Sequence, residues 1–353
     1  MNETRLFLDI HAIQTLPPSN VNRDDTGSPK TSMYGGVRRA RVSSQSWKRA
    51  MRQYFLQESG SNLGVRSLDV IRYVADRIRE QDPSVPMEEA MNRSEKVFNS
   101  AGVKTKDQKT KALFFLGRKQ ADRLAAAALR GETDKKVIKQ LLCESPAVDI
   151  ALFGRMVADD PSLNEDASAQ VAHAISTHEV QTEFDFYTAV DDLAPVDNAG
   201  AGMLGTIEYN SSTLYRYANV SLHELLRQLG DKEQVIAAAE LFIRAFANSM
   251  PTGKVNTFAN QTLPQLLMIN LRTDRPVNLV TAYEKPVRSK SGNVEESIAR
   301  LFEEMKKSEK FVQAPVQTLY VMEDPMNQPD GAVEEVSMAA LLNDFAAEAG
   351  RIL

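Results

Sequence analysis

The sequence predicts an α+β protein, and three observations predict it. LFLDIHAIQ at 6–14 alternates with the period of a strand, the residues from about Leu68 to His178 keep helical spacing, and period 2 returns in TEFDFYTAVDDL and TIEYNSSTLYRYANV. Helices and strands then mix without the regular alternation of a doubly wound sheet. The economical architecture is a core of strands with two principal packed helices, interrupted by a helical insertion and a protruding hairpin.

Leu6, Leu8, Ile10 and Ala12 share one face of the opening strand and Asp9 and His11 the other, so this strand reads as half-buried. TLPPSNVNRDDTGSPKTS at 15–32 is dense in Pro, Asn, Asp, Gly and Ser and reads as an irregular loop. A helix follows in QSWKRAMRQYFLQE, with Ser43 or Ser44 as its N-cap. The inserted helices are LDVIRYVADRIRE, MEEAMNRSEKVF, KALFFLGRKQADRLAAAALRG, KKVIKQLL and QVAHAIS, separated by DPSVP, SP and DDPSLNED. APVDNAGAGMLG, small and flexible, forms the hairpin tip. Beyond it come helices in SLHELLRQL and EQVIAAAELFIRAFANSM, apolar strands in LPQLLMINL and VNLVTAYE, a helix in EESIARLFEEMKK, a strand VQTLYVME and a closing helix SMAALLNDFAAEAGRIL.

The chain is 42% hydrophobic and 25% charged, enough apolar residue to bury a core of its own. A formal charge of -5 argues against a protein that coats nucleic acid over its whole surface, so any anion site is local. A single cysteine, Cys143, excludes an internal disulfide framework. MNETRLFLDI lacks the basic-then-apolar signature of a signal peptide, and no window approaches the roughly 20 apolar residues of a bilayer crossing. The expectation is a cytoplasmic protein with no membrane segment. Catalytic and metal-binding patterns are sparse. GxxxxGK[ST] is absent, and His173 and His178 would lie roughly 140° apart on a helix. His11 and His223 are isolated, the adjacent Asp191 and Asp192 point to opposite faces of a strand, and Cys143 has no His or Asn signature. No cofactor and no metal site is expected.

One segment carries an unbalanced charge. GGVRRARVSSQSWKRAMRQYF contains Arg38, Arg39, Arg41, Lys48, Arg49 and Arg52 and no acid between Gly35 and Phe55. Gln45, Lys48, Arg49 and Arg52 recur at i, i+3, i+4 and i+7, while Trp47, Met51, Tyr54 and Phe55 keep that spacing on the opposite side. One face is basic and the other faces the core. A solvated basic face is the bland reading. The lack of any local acid tips the balance toward a polyanion, of which phosphodiester is the commonest.

At this point the residues match a known pattern. NRDD at 22–25, YGGVRRARVSSQSWKRAMR at 34–52, DIALFGRM at 149–156, HAISTH at 173–178, FYTAVDDL at 186–193, LYRYANVSL at 214–222 and AYEKPVRSK at 282–290 resemble the backbone subunit of type I-E CRISPR Cascade complexes, the CasC family. The resemblance spans nearly the whole chain in order. It implies a right-hand shape: a palm on a modified RRM, or ferredoxin-like, fold (1–60 and 217–353), helical fingers (61–179) and a hairpin thumb (180–216). In that family several copies polymerise along one CRISPR RNA (crRNA), palms hold its phosphates and thumbs kink it at regular intervals. The bases between kinks stay free for target DNA. Other Cascade subunits, namely the large subunit, the small subunits and those at the crRNA ends, complete the assembly.

Carried over residue by residue, the resemblance implies phosphate contacts from Ser43, Gln45, Lys48 and Arg52, with Arg49 on the same face. Arg23 and Lys30 from the irregular loop and Arg288 and Lys290 from KPVRSKSG complete the channel, and Met156, Tyr187 and Thr188 flank the kink. Trp47 stands where the family pattern has a smaller aliphatic residue. The alternative is a metal-assisted endoribonuclease using Asp24 and Asp25, because related type III backbone subunits cut RNA with an aspartate in a comparable loop. An Asp pair in a turn beside Arg23 is more often a cap or an ion pair, and type I-E backbone subunits are not expected to cut, so the expected protein is not an enzyme.

Overall fold

The opening strand, β1 (Phe7–Ser19), runs farther than its alternation suggests, through Pro17 and Pro18. The prolines are tolerated because the ladder shifts register between Leu16 and Ser19, so the irregular loop proper begins at Asn20. A computed structural model describes residues 5–58, 63–189, 192–193, 203–324 and 331–353 of the chain. The hairpin tip at 194–202 and Asp191 lie outside these residues.

After β1 the chain forms a short hairpin of β2 (Thr31–Tyr34) and β3 (Val37–Val42), then helix α1 (Ser44–Glu58). The insertion contains β4 (Gly64–Ser67), α2 (Val70–Gln81), α3 (Met87–Ala101), the two-residue strands β5 (Thr105–Lys106) and β6 (Lys109–Thr110), β7 (Phe114–Gly117), α4 (Arg118–Leu129), α5 (Lys135–Cys143) and α6 (Val148–Phe153). Strands β8 (Ala169–Val171) and β9 (Ala174–Ser176) return to the sheet, and β10 (Glu183–Ala189) pairs with the first part of β11 (Met203–Ser221). The remainder is α7 (Leu222–Leu229), α8 (Lys232–Asn248), α9 (Val255–Phe258), β12 (Leu266–Arg272), a 3₁₀ segment Leu279–Tyr283, α10 (Val294–Ser308), β13 (Gln317–Met322), β14 (Ala332–Glu334) and α11 (Met338–Ile352).

Among the described residues the large sheet has the order β14-β13-β12-β1-β11-β9-β3-β2, with β8 and β10 also paired to β11. At its centre, β12-β1-β11-β9 with α1 following β1 and α8 preceding β12 is a ferredoxin-like βαββαβ arrangement. β1 is antiparallel to both neighbours, with Ile10 opposite Ala218 and Ile269.

β1 is buried on both faces, which corrects the half-buried expectation. Leu8, Ile10 and Ala12 pack with Met51 and Phe55 of α1, Phe242 and Phe246 of α8 and Phe345 of α11. Ile13, on the other side, packs with Tyr215, Tyr283, Tyr320 and Leu301 and Phe302 of α10. The polar residues of the alternation therefore point into a second buried layer and not into water. There Asp9 Oδ2 lies 3.2 Å from Arg272 Nε, Val277 N donates to Oδ2 (2.9 Å), and the Tyr217 hydroxyl donates to Oδ1 (2.8 Å). His11 Nδ1 meets the Tyr215 hydroxyl at 2.9 Å.

Three further expectations are corrected. FFLG at 114–117 is strand β7 paired with β4, because Gly117 interrupts the helical run and α4 starts after it. QVAHAIS forms β8 and β9, since its alternating residues fit period 2 and find sheet partners in β11 and β3. VNLVTAYE is the 3₁₀ segment, capped by Asn278, whose side chain accepts from Val280 N. The insertion has its own apolar cluster, drawn from residues between Val70 and Leu163, including Ile78, Phe98, Leu124 and Ile138.

Two outcomes follow from the buried polar layer. Asp9→Ala strands the fully buried Arg272 guanidinium without its carboxylate and lowers the unfolding free energy by about 3–5 kcal/mol, measurable by urea denaturation. Burial pulls the His11 pKa down to about 3. The neutral ring thus stabilises the fold fully above the unfolded pKa of about 6.5, and stability is lost as pH falls from there toward 3. His11→Gln flattens this acid limb in a pH series of thermal melts.

Candidate nucleic-acid interface

Helix α1 begins at Ser43, whose carbonyl accepts from Ser46 N (3.0 Å) and Trp47 N (3.2 Å). Ser43 N donates to Asn22 Oδ1 (2.8 Å) and Ser44 N to His173 Nδ1 (3.0 Å), so the helix start is tied to both the loop and the residue before β9. Trp47, Met51 and Phe55 are buried, whereas Gln45 and Arg49 are exposed and Lys48 and Arg52 partly so. The large ring at Trp47 has a specific partner. The Arg216 guanidinium lies 3.6 Å from its centroid and 4.3 Å from that of Phe246, and donates to Gln14 Oε1 and the Phe246 carbonyl. Burial pulls the Arg216 pKa down to about 9, and the two π faces offset part of its desolvation.

Along the outer face of α1 runs an open groove of about 950 Å³. Gln45, Lys48, Arg49 and Arg52 from α1, Arg66 from β4, Met156, Phe115, Phe153 and Gly154 line it, and Glu165 and Asp166 share the lining with these cations. Five of the residues carried over from the resemblance thus meet in one place. Met156 is 81% exposed there, an apolar side chain held in water. Burial pushes the Lys48 pKa down, and the nearby charge of Arg66 adds to the effect. Arg66 escaped the sequence reading because it stands alone in the insertion, with no local basic pattern.

Arg52 corrects the idea that the basic face lacks partners. Its Nε pairs with Asp149 Oδ2 at 3.1 Å, its Nη2 donates to the Gly64 carbonyl (3.1 Å), and its guanidinium lies 4.4 Å from the Phe115 centroid. Asp149 is buried and also accepts from Gly64 N (2.8 Å). Its acid lies almost a hundred positions downstream, beyond any local scan of the sequence. Arg39 is likewise internal, donating to the carbonyls of Tyr34, Ser176 and Tyr283. Gly35 is needed where this turn docks, since a Cβ there would fall 1.6 Å from the Glu284 carbonyl oxygen.

A second groove, of about 1030 Å³, lies on the other side of Arg49. Arg23, Asp24, Asp25 and Thr26 line one wall, and Ser249, Gly253 and Lys254 another. Asp24 Oδ1 accepts from Thr26 N, Thr26 Oγ1 and Ser28 N, bonds that hold its carboxyl below the usual range, the Thr26 hydroxyl most of all. It caps its own turn. Among the described residues no group of three or more His, Cys, Asp or Glu could hold a metal. His178 Nε2 accepts from Thr213 N (3.0 Å), a structural use.

The remaining carried-over residues lie apart from these grooves. Lys30 is tied to β3 through its carbonyl, which accepts from Arg41 N (2.9 Å). Arg288 and Lys290 are exposed on a loop pinned by Val287 N to the Thr177 carbonyl. Tyr187 and Thr188 project from opposite faces of β10. Tyr187 lies over Gly205, whose Cβ would meet its ring at 2.3 Å. Thr188 shares its face with Phe184 and Phe186, and all of β10 is exposed. These two phenylalanines were passed over because a hairpin's apolar residues read as its own core.

Arg52→Ala leaves Asp149 buried without its cation, and lowers unfolding free energy by about 3 kcal/mol. Lys48→Ala, which breaks no ion pair among the described residues, stays within about 0.5 kcal/mol of the parent in the same urea titration.

The grooves and the fold can now be set beside known proteins. A chain of a CRISPR RNA-guided surveillance complex, pre-nicking, is 34% identical with a TM-score of 0.86, over 97% of this chain and 100% of that one. A chain of another CRISPR RNA-guided surveillance complex is 31% identical with a TM-score of 0.76, over 97% and 99% of the two chains. No curated protein matches. The model of the CT1975-like proteins matches residues 8–346, and the chain belongs to that family.

Proposed function

We propose that this protein is a non-enzymatic crRNA-binding backbone subunit of a CRISPR surveillance complex of the type I-E Cascade kind. Copies of it polymerise along the spacer, hold the phosphates in the α1 groove and kink the RNA at intervals set by the hairpin. The bases remain available for target DNA, as in guided recognition generally, where protein holds the backbone and pairing reads the sequence. Its partners are crRNA, further copies of itself, the other Cascade subunits and, through pairing, the target strand. Its place is the cytoplasm.

One observation carries this reading: Lys48, Arg49 and Arg66 converge on one open groove beside an exposed Met156, and among the described residues none of the three forms an ion pair. Cations suit phosphates and an exposed apolar side chain suits a displaced base, a contact worth about 1–3 kcal/mol. The likeness to chains of RNA-guided surveillance complexes supports it independently. The three bonds that Asp24 accepts within its turn weigh against the nuclease alternative.

Lys48→Ala/Arg49→Ala weakens RNA binding across unrelated sequences and reduces the slope of log K against log salt by about 1.4, two single-strand phosphate contacts. An unchanged slope removes the α1 groove from the binding surface. Native mass spectrometry with crRNAs of two spacer lengths and magnesium gives whole-subunit steps on the longer, intact RNA. Regular cleavage that stops in Asp24→Ala/Asp25→Ala would instead establish the nuclease.

A further inference from the structure

Met156 stands between two buried residues: Arg155 is 4% exposed and Val157 7%, against 81% for Met156 itself. Both flanks are bonded to one turn. Arg155 N donates to the Glu165 carbonyl (2.9 Å), Glu165 N to the Arg155 carbonyl (2.8 Å), and Val157 N to Asn164 Oδ1 (2.7 Å). Alternating burial of this kind turns the middle side chain outward.

The Arg155 side chain is used entirely inside the protein. Its Nε donates to the Leu163 carbonyl (2.9 Å), Nη1 to that of Phe115 (3.3 Å) and Nη2 to that of Leu142 (3.0 Å). These acceptors belong to three elements of the insertion: the 3₁₀ turn Pro161–Leu163, β7, and the last turn of α5, where a cation meets the negative end of the helix dipole. Burial pulls the Arg155 pKa down. A desolvated cation is a costly way to fill a core, since an apolar side chain of similar volume often packs there as well or better. What the guanidinium adds is direction: a planar fork on three fixed acceptors has one position, and so has the backbone attached to it. Phe115 links this anchor to α1, because its carbonyl accepts from Arg155 while its ring lies 4.4 Å from the Arg52 guanidinium.

We propose that Arg155 is a positioning residue: it locks the backbone of Met156 to the insertion and so sets where along the α1 groove a base of the bound RNA is displaced. This rests on the proposed function and adds to it a residue that touches no RNA. The insertion then acts as the template for the kink, through three carbonyls and the Phe115 contact, while the cations of α1 hold the strand.

The test places 2-aminopurine, a base whose fluorescence rises when it leaves the stack, at successive positions of an RNA bound by the full chain. The parent brightens at regularly spaced positions, and Met156→Ala loses about fivefold of that signal, the lower end of what one base contact is worth. In Arg155→Lys the buried charge is kept but a single ammonium cannot span three carbonyls. It folds, binds RNA in gel shifts as the parent does, and brightens as little as Met156→Ala. Full brightening in Arg155→Lys overturns the positioning role and leaves the proposed function standing. So does a loss of brightening matched by an equal loss of affinity, the mark of general damage to the structure. Asn164→Ala, at an exposed position, releases the other flank of Met156 and lowers the brightening in the same direction. Unchanged brightening there overturns the proposal even where Arg155→Lys does not fold. Failure of the parent to bind RNA, or to brighten at any position, overturns the proposed function itself.

Discussion

The burial of β1 on both faces is the constraint from which the rest of the molecule follows. A free-standing RNA-recognition sheet offers one face to bases and uses exposed aromatics to stack them. Here that option is closed, because α10 and the 3₁₀ segment cover the face opposite α1 and α8, and Tyr215, Tyr283 and Tyr320 are interior residues. Among the described residues this leaves the outer faces of the covering helices, the sheet edge where β3 and β9 meet, and the projecting hairpin open to a ligand. The proposed RNA-binding residues lie in these places, and the interior aromatics serve packing and the polar layer around Asp9.

Helix α1 joins these requirements in a single element. Its apolar stripe seats Trp47, Met51 and Phe55 against the sheet, which fixes the direction in which Gln45, Lys48 and Arg49 face outward. Its C-terminal half is fastened to the insertion by Arg52 and Asp149, so the groove wall supplied by Arg66 and Met156 is held at a set distance from the cations of α1. A residue that a charge count assigns to the ligand is thus used to hold the two walls together. The Trp47 ring plays the equivalent part on the inner side, where it shields a guanidinium that has no carboxylate within reach.

Much of this architecture was legible in the sequence because it is written in local periodicity. The alternation in β1, the two faces of α1, the helices of the insertion and the hairpin strands each depend on residues within one or two turns of one another. The misread stretches are those where a distant partner decides. FFLG becomes a strand through β4, and QVAHAIS through β3 and β11. The VNLVTAYE stretch gives way to the cap at Asn278. Asp9 and His11 look solvent-facing until a second layer, more than two hundred positions away, covers them. The candidate groove is legible in part: the basic face of α1 follows from spacing and Met156 is implied by the resemblance, while the pairing of Arg52, the place of Arg66 and the contact of His173 with Ser44 depend on residues far apart in the chain.

The hairpin and the sheet share β11, one strand of 19 residues that passes from exposed pairing with β10 into the buried centre beside β1. At roughly 3.3 Å per residue such a strand is about 60 Å long. An isolated two-stranded hairpin is marginal in water, so the outer half borrows its order from the inner half, and the projection behaves as a cantilever clamped at one end. Force applied near its free end produces its largest bending moment at the clamp, where β11 enters between β1 and β9. A load on the hairpin is therefore felt in the hydrogen-bond ladder that also aligns β3 and the head of α1.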